Sequence, residues 1–122
     1  MTMFTEVKDS LPVSGDDYDA QIIRQIKACA LDLTTSAEIR LPGTIDITRT
    51  KALGVWTITD NSTLTDELII TTISVWCNMM IGNPPNAEFL RKAYEGLKGR
   101  LRLSKTYTKN YGGVPDEDAD GD

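Results

Sequence analysis

The segment T-L-T-D-E-L-I-I-T-T-I-S-V-W-C-N-M-M-I-G, residues 63–82, decides the fold. From Leu68 to Ile81 apolar residues fall on nearly every side of a 3.6-residue period, and a helix apolar all round is one enclosed by other protein. A membrane span needs about twenty mostly apolar residues. Asp66 and Glu67 at the start, and Thr71, Thr72, Ser74 and Asn78 within, argue against one. Ser62 or Thr63 is expected to cap this central helix, with Asp66 and Glu67 in its first turn, and Gly82 followed by Asn83, Pro84 and Pro85 to stop it.

Two further helices are expected to pack on it. Upstream, Tyr18, Ile22, Ile23, Ile26, Cys29, Ala30 and Leu33 form one stripe that fades by Glu38 or Ile39, before Pro42 and Gly43. Ser14 can cap that helix, and Asp16, Asp17 and Asp19 place negative charge where its dipole favours it. Downstream, Asn86 caps a helix whose apolar positions are Phe89, Leu90, Ala93, Tyr94, Leu97 and Leu101. Met3, Phe4, Val7 and Leu11 suggest a short first helix ended by Pro12 and Gly15. The expected core is Ile22, Ile23, Ile26, Leu33, Leu68, Ile69, Ile73, Trp76, Phe89, Leu90, Tyr94 and Leu97.

The texture changes between the first two long helices. Thr44 to Thr48 and Val55 to Thr59 alternate apolar and polar with many β-branched residues, consistent with two short strands joined around Lys51 to Gly54. Trp56 and Ile58 would share a face that needs a partner, because two strands alone are marginal in water. The expected architecture is therefore all-α: a small bundle of three main helices plus a short N-terminal one, with a long loop or small β-hairpin inserted at 39–62. Residues 1–111 read as a single helical domain, and 112–122, G-V-P-D-E-D-A-D-G-D preceded by Gly112, as a disordered acidic tail.

At 122 residues the chain suits one domain that buries about two thirds of its unfolded surface. Thirteen Lys and Arg against 18 Asp and Glu give a net charge of -5, which argues against a protein whose main task is to grip phosphate backbones. With no histidine, His-based triads and most zinc sites are excluded. Cys29 and Cys77 lie in apolar helical patterns and read as buried thiols of a reducing cytosol; the N-terminus shows no secretion signal. No Gly-rich phosphate loop or nucleophile motif is present, so no enzyme activity, cofactor or metal is expected. The three aspartates lack the spacing of a calcium loop, and Asp66 and Glu67 are a favourable first turn rather than a catalytic pair.

The remaining candidates are surfaces. Arg91, Lys92, Lys98, Arg100 and Arg102, continued by Lys105 and Lys109 and interleaved with Tyr94, Tyr107 and Tyr111, are opposed locally only by Glu88 and Glu95. That face could be solvated surface, a protein contact or, in this acidic chain, less readily a nucleic-acid contact. It could meet an acidic neighbouring surface such as Asp16, Asp17 and Asp19, and Trp56 is a further interface anchor.

The order of features resembles the head-tail connector family of long-tailed phages. Ile23, Ile26, Ala28, Ala30, Asp32 and Leu33 carry the match in the first long helix. From Trp76 to Tyr107 it is carried by Gly82, a short Asn and Pro turn, Tyr94, Leu97, Lys98, Leu101, Ser104 and Tyr107. The loop from Ile39 to Ser62, longer and more strand-like, and the acidic tail lie outside it. The resemblance implies a structural adaptor of the virion neck, made in the host cytoplasm. Its subunits would form a dodecameric ring below the portal protein, joining the filled head to a neck stopper or tail protein. DNA would pass through without sequence-specific binding, and no membrane is involved. A neck stopper or tail-completion protein is the nearest alternative, and a small helical nucleic-acid-binding regulator is the alternative from another class.

Overall fold

The central helix forms where the apolar run demands it, but starts later than its first threonines suggest. The computed structural model describes residues 2–81, 84–104 and 106–107. Four helices and one hairpin follow in the order α1 (Met3–Asp9), α2 (Asp19–Thr35), β1 (Ile47–Ala52), β2 (Val55–Asp60), α3 (Glu67–Met80) and α4 (Ala87–Leu103). Asp66, not Ser62 or Thr63, caps α3: its Oδ1 accepts from the Ile69 N–H at 3.0 Å. Ser62 and Thr63 are occupied at the hairpin base, where the Ser62 Oγ accepts from the Asp46 N–H and the Thr63 Oγ1 from the Thr44 N–H, both at 2.8 Å. The stop expected at Gly82 and Asn83, the cations Lys105 and Lys109, Tyr111 and the acidic tail lie outside the described residues.

α3 is the hub, in contact with α1, α2 and α4. Ile69, Ile73 and Cys77 are fully buried along it, and Thr72 is buried with its hydroxyl returned to the Leu68 carbonyl at 2.7 Å. Against it α2 sets Ile22, Ile26, Cys29 and Leu33, α1 sets Met3, Phe4 and Val7, and α4 sets Tyr94 and Leu101. Of the expected core, Ile22, Ile23, Ile26, Leu33, Ile69, Ile73, Leu90 and Tyr94 are buried, whereas Leu68, Trp76 and Leu97 are half-buried. Phe89 is a correction: it is 69% exposed. The line Leu90, Tyr94, Leu101 faces inward, and a residue one step before Leu90 is turned about 100° away from it.

Residues 16–18 stay outside α2, whose N-cap is Tyr18 without a side-chain bond, so Ser14 does not cap it. At its other end the chain leaves through Glu38 at φ 54, a left-handed position where Gly is usual, and the Ile39 N–H reaches back six residues to the Leu33 carbonyl at 2.9 Å, satisfying one of the terminal carbonyls.

The all-α assignment is corrected by the hairpin, which makes the fold a mostly helical α/β mixture. The strands pair antiparallel from Ile47↔Asp60 to Ala52↔Val55 around a two-residue turn, Leu53-Gly54. The first strand begins three residues later than its apolar alternation suggests, since Thr44 to Asp46 bond instead to residues 61–64 at the base. There Gly43 lies so close that a Cβ would sit 2.6 Å from the Leu64 Cα. Both turn residues have positive φ, 53° and 78°, the type I′ geometry that suits a twisted hairpin. Glycine adopts that freely, but for leucine the left-handed region costs roughly 1–2 kcal/mol. Beyond Ile47 and the half-buried Arg49, Ile58 and Asp60, the arm is exposed on both faces. Because asparagine tolerates this turn position, Leu53→Asn should stabilise the chain by about 0.5–1 kcal/mol in urea unfolding followed by circular dichroism.

Candidate functional site

The charged groups singled out by the sequence divide into those consumed within the chain and those left outside. Asp19 is buried, and its carboxylate takes the Lys8 ammonium at 2.7 Å, tying α2 to α1. It is therefore an internal ion pair and not a subunit contact, while Asp16 and Asp17 are exposed, Asp16 at 3.9 Å from the same lysine. On α4, Lys98 is also withdrawn: its ammonium sits 3.1 Å from the Asp32 carboxylate of α2. Arg91 pairs with Glu88 one turn back in solvent. With Lys98 and Arg91 so engaged, the basic face is narrower than its residue count suggests; Lys92 and Arg100 lie on the exposed surface.

Lys98 belongs to a cluster that the helical periodicity does not display. The Asp32 Oδ2 accepts from the Tyr94 hydroxyl at 2.6 Å as well as from Lys98, and the Cys29 thiol lies 3.9 Å from that hydroxyl. Trp76 of α3 meets the Tyr94 ring edge-on at 5.1 Å and donates its indole N–H to Gln25 Oε1 at 3.0 Å. One carboxylate, one phenol, one amine, one indole and one amide thus join α2, α3 and α4 with their polar atoms partnered. Burial first, then the bond to Asp32, pushes the Tyr94 phenol well above its ordinary range. Burial likewise pushes up the Cys29 thiol, and raises the Cys77 thiol to about 12. A proton held this firmly is a structural proton, and a thiol so raised is a poor nucleophile. Among the described residues no helix is long and apolar enough to cross a membrane.

A second cluster fastens the segment after α4. The Tyr107 hydroxyl donates to Asp66 Oδ2 at 2.7 Å, and its carbonyl accepts from the Arg40 N–H at 2.6 Å. At the opposite side of the hairpin base, Asp60 accepts from the Phe4 N–H at 2.8 Å and the Ser62 N–H at 2.9 Å. Burial alone would raise this carboxyl, but those bonds together with the Ser62 side chain hold it below the ordinary carboxylate range.

The outward-facing chemistry is on the hairpin. Its register places Arg49 and Lys51 on the same face as Trp56 and Ile58, with the guanidinium 3.8 Å from the indole centroid and the ammonium 5.5 Å from it. Trp56 is 50% exposed and Val55 63% exposed, and Leu53 is fully exposed at the tip. Trp56 stands exposed on the arm, and strand register sets Arg49 and Lys51 on its face, with Leu53 in the turn and Val55 on the opposite face. The signal was the alternation of Arg49 and Lys51 across from Trp56, hidden while the first strand was placed at Thr44 to Thr48.

Removing the buried hydroxyl with Tyr94→Phe should cost about 1.5 kcal/mol in chemical denaturation, the worth of a hydrogen bond to a charged group. Raised folded-state pKa values mean that the folded chain holds these protons more tightly than the unfolded one. The contribution of Cys29, Cys77 and Tyr94 is therefore full at neutral pH and is lost as pH climbs past about 8.5, where exposed thiols ionise, and on through the raised values. The urea midpoint at pH 10.5 should accordingly lie below that at pH 7.5. Comparison with protein-family models, curated proteins and solved structures returns no match to this chain.

Proposed function

We propose that this chain is a non-catalytic structural adaptor, a head-tail connector of a tailed phage whose copies form a ring below the portal protein. Its resemblance from Ile23 to Leu33 and from Trp76 to Tyr107 supports that reading, and so does the use to which the matched residues are put. Tyr94, Lys98 and Tyr107 serve internal packing, as expected of a subunit whose role is shape. The single observation that carries an assembly role is the hairpin arm with Leu53, Val55 and Trp56 exposed, since two strands with bare apolar groups are marginal unless another surface covers them. The acidic total is compatible with a channel through which DNA slides, because a basic lining would hold phosphates.

The hairpin also favours the neighbouring reading, a stopper or tail-completion protein of the same neck. A nucleic-acid-binding regulator is less favoured, because Lys98 and Arg91 are already paired within the chain.

Electron microscopy of particles carrying a tagged copy of this protein is the deciding experiment. Label at the neck, in a ring next to the portal, is expected. Label further down the tail favours the stopper reading, and absence from purified particles, together with tight DNA binding at low salt, overturns both.

A further inference from the structure

The hairpin tip combines three properties: a leucine held in the left-handed region, bare apolar side chains, and two cations on one face. The first two work against the isolated arm, and the cations are held beside the Trp56 ring on its exposed face. An asparagine at residue 53 would suit the turn and a polar residue would suit the solvent, so the leucine is explained by a surface that covers it.

Two grooves on the chain are candidates for such a surface. One, about 320 Å³, runs between α2 and residues 41–45 and is lined by Lys27, Ala30, Leu31, Leu41 and Ile45. Its charged wall group is a lysine, which repels Arg49 and Lys51. The other, about 340 Å³, lies between α1 and α3 and is lined by Glu6, Ser10, Glu67, Ile70, Ser74 and Val75. It offers two carboxylates and the half-buried Val75 among hydroxyl and amide groups that include Thr71 and Asn78, and neither Glu6 nor Glu67 takes part in a salt bridge among the described residues.

We propose that the hairpin tip of one copy docks in the α1–α3 groove of a second copy. Leu53 at the tip covers Val75, while Arg49 and Lys51, on the Trp56 face of the arm, meet Glu6 and Glu67. The occupant is another copy because the same chain supplies both halves of the match, cationic arm and acidic groove, and its own tip stands in solvent. Arm and groove are different surfaces, so each copy that accepts an arm still has its own to offer. Such a head-to-tail contact repeats until rotation closes it into a ring or leaves it as a filament. The proposal deepens the adaptor reading by naming its subunit contact, and rests on it for the expectation of a closed ring.

Because Cys29 and Cys77 are buried, thiols introduced at the surface will oxidise first. Copies carrying Leu53→Cys are mixed with copies carrying Ser74→Cys and oxidised; a disulfide-linked heterodimer is expected. In sedimentation, Arg49→Glu with Lys51→Glu should weaken self-association by about tenfold or more, Glu6→Lys with Glu67→Lys should do the same, and all four changes in one chain should restore it. Leu53→Asn should weaken association while leaving the helical circular dichroism intact. Cross-linking only between two Leu53→Cys copies would place the contact tip to tip and overturn the proposal. So would association indifferent to the charge reversals, a wild-type chain that stays monomeric at millimolar concentration, or a hairpin whose cations are needed for DNA binding and not for assembly. Loss of this contact in a protein still found at the neck removes the interface and leaves the adaptor reading; a cross-linked ring absent from necks does the reverse.

Discussion

A fourteen-residue helix with apolar groups on every side has to be covered on every side, and that demand on α3 organises the molecule. α1, α2 and α4 each bring one stripe to it, and none of the three is apolar enough to stand without it. α1 is the clearest case. Seven residues cannot hold a helix in water, yet Met3, Phe4 and Val7 are buried and Lys8 reaches the Asp19 carboxylate. An ion pair this enclosed adds little net stability, but removing one partner would strand the other charge, so the pair fixes where α1 sits.

The polar interior follows a similar economy. Asp32 serves Tyr94 and Lys98 at once, and Asp66 serves both the α3 cap and Tyr107. Each carboxylate satisfies two elements from different parts of the chain, so helix ends and helix packing are set by the same atoms. The hairpin is tied to the bundle near its root, by the Asp60 bonds, by Ile47 and Ile58 against the core and by the short contact of β1 with α2, while its outer half is exposed.

Periodicity made the helices legible: the stripe Ile22, Ile26, Leu33 and the run Ile69, Ile73, Cys77 occupy the buried positions that a 3.6-residue repeat assigns. It failed where side-chain polarity ceased to report direction. Phe89 looks like core by composition but sits off the line set by Leu90 and Tyr94, and Lys98 looks like surface but reaches Asp32 along a half-buried path. The hairpin was legible as a composition and not as a register, because Leu53-Gly54 lacks the Asn-Gly signature of its turn and the threonines at 44 and 48 read alike. That slip concealed the face shared by Arg49, Lys51 and Trp56. Grooves such as that between α1 and α3 join residues some sixty positions apart and have no periodic trace at all.

The Tyr107 contact has a mechanical consequence. Residue 107 is bonded to the cap of α3 and to the backbone at Arg40, so tension applied to the chain beyond it enters the spine at its N-terminal end before α4 is loaded. α4 is then bypassed by the force and cannot be peeled away turn by turn from its C-terminus until that latch opens. The Asp66 carboxylate, a helix cap in the unstressed fold, becomes the point at which a pull beyond residue 107 is handed to the helix that the other three pack on.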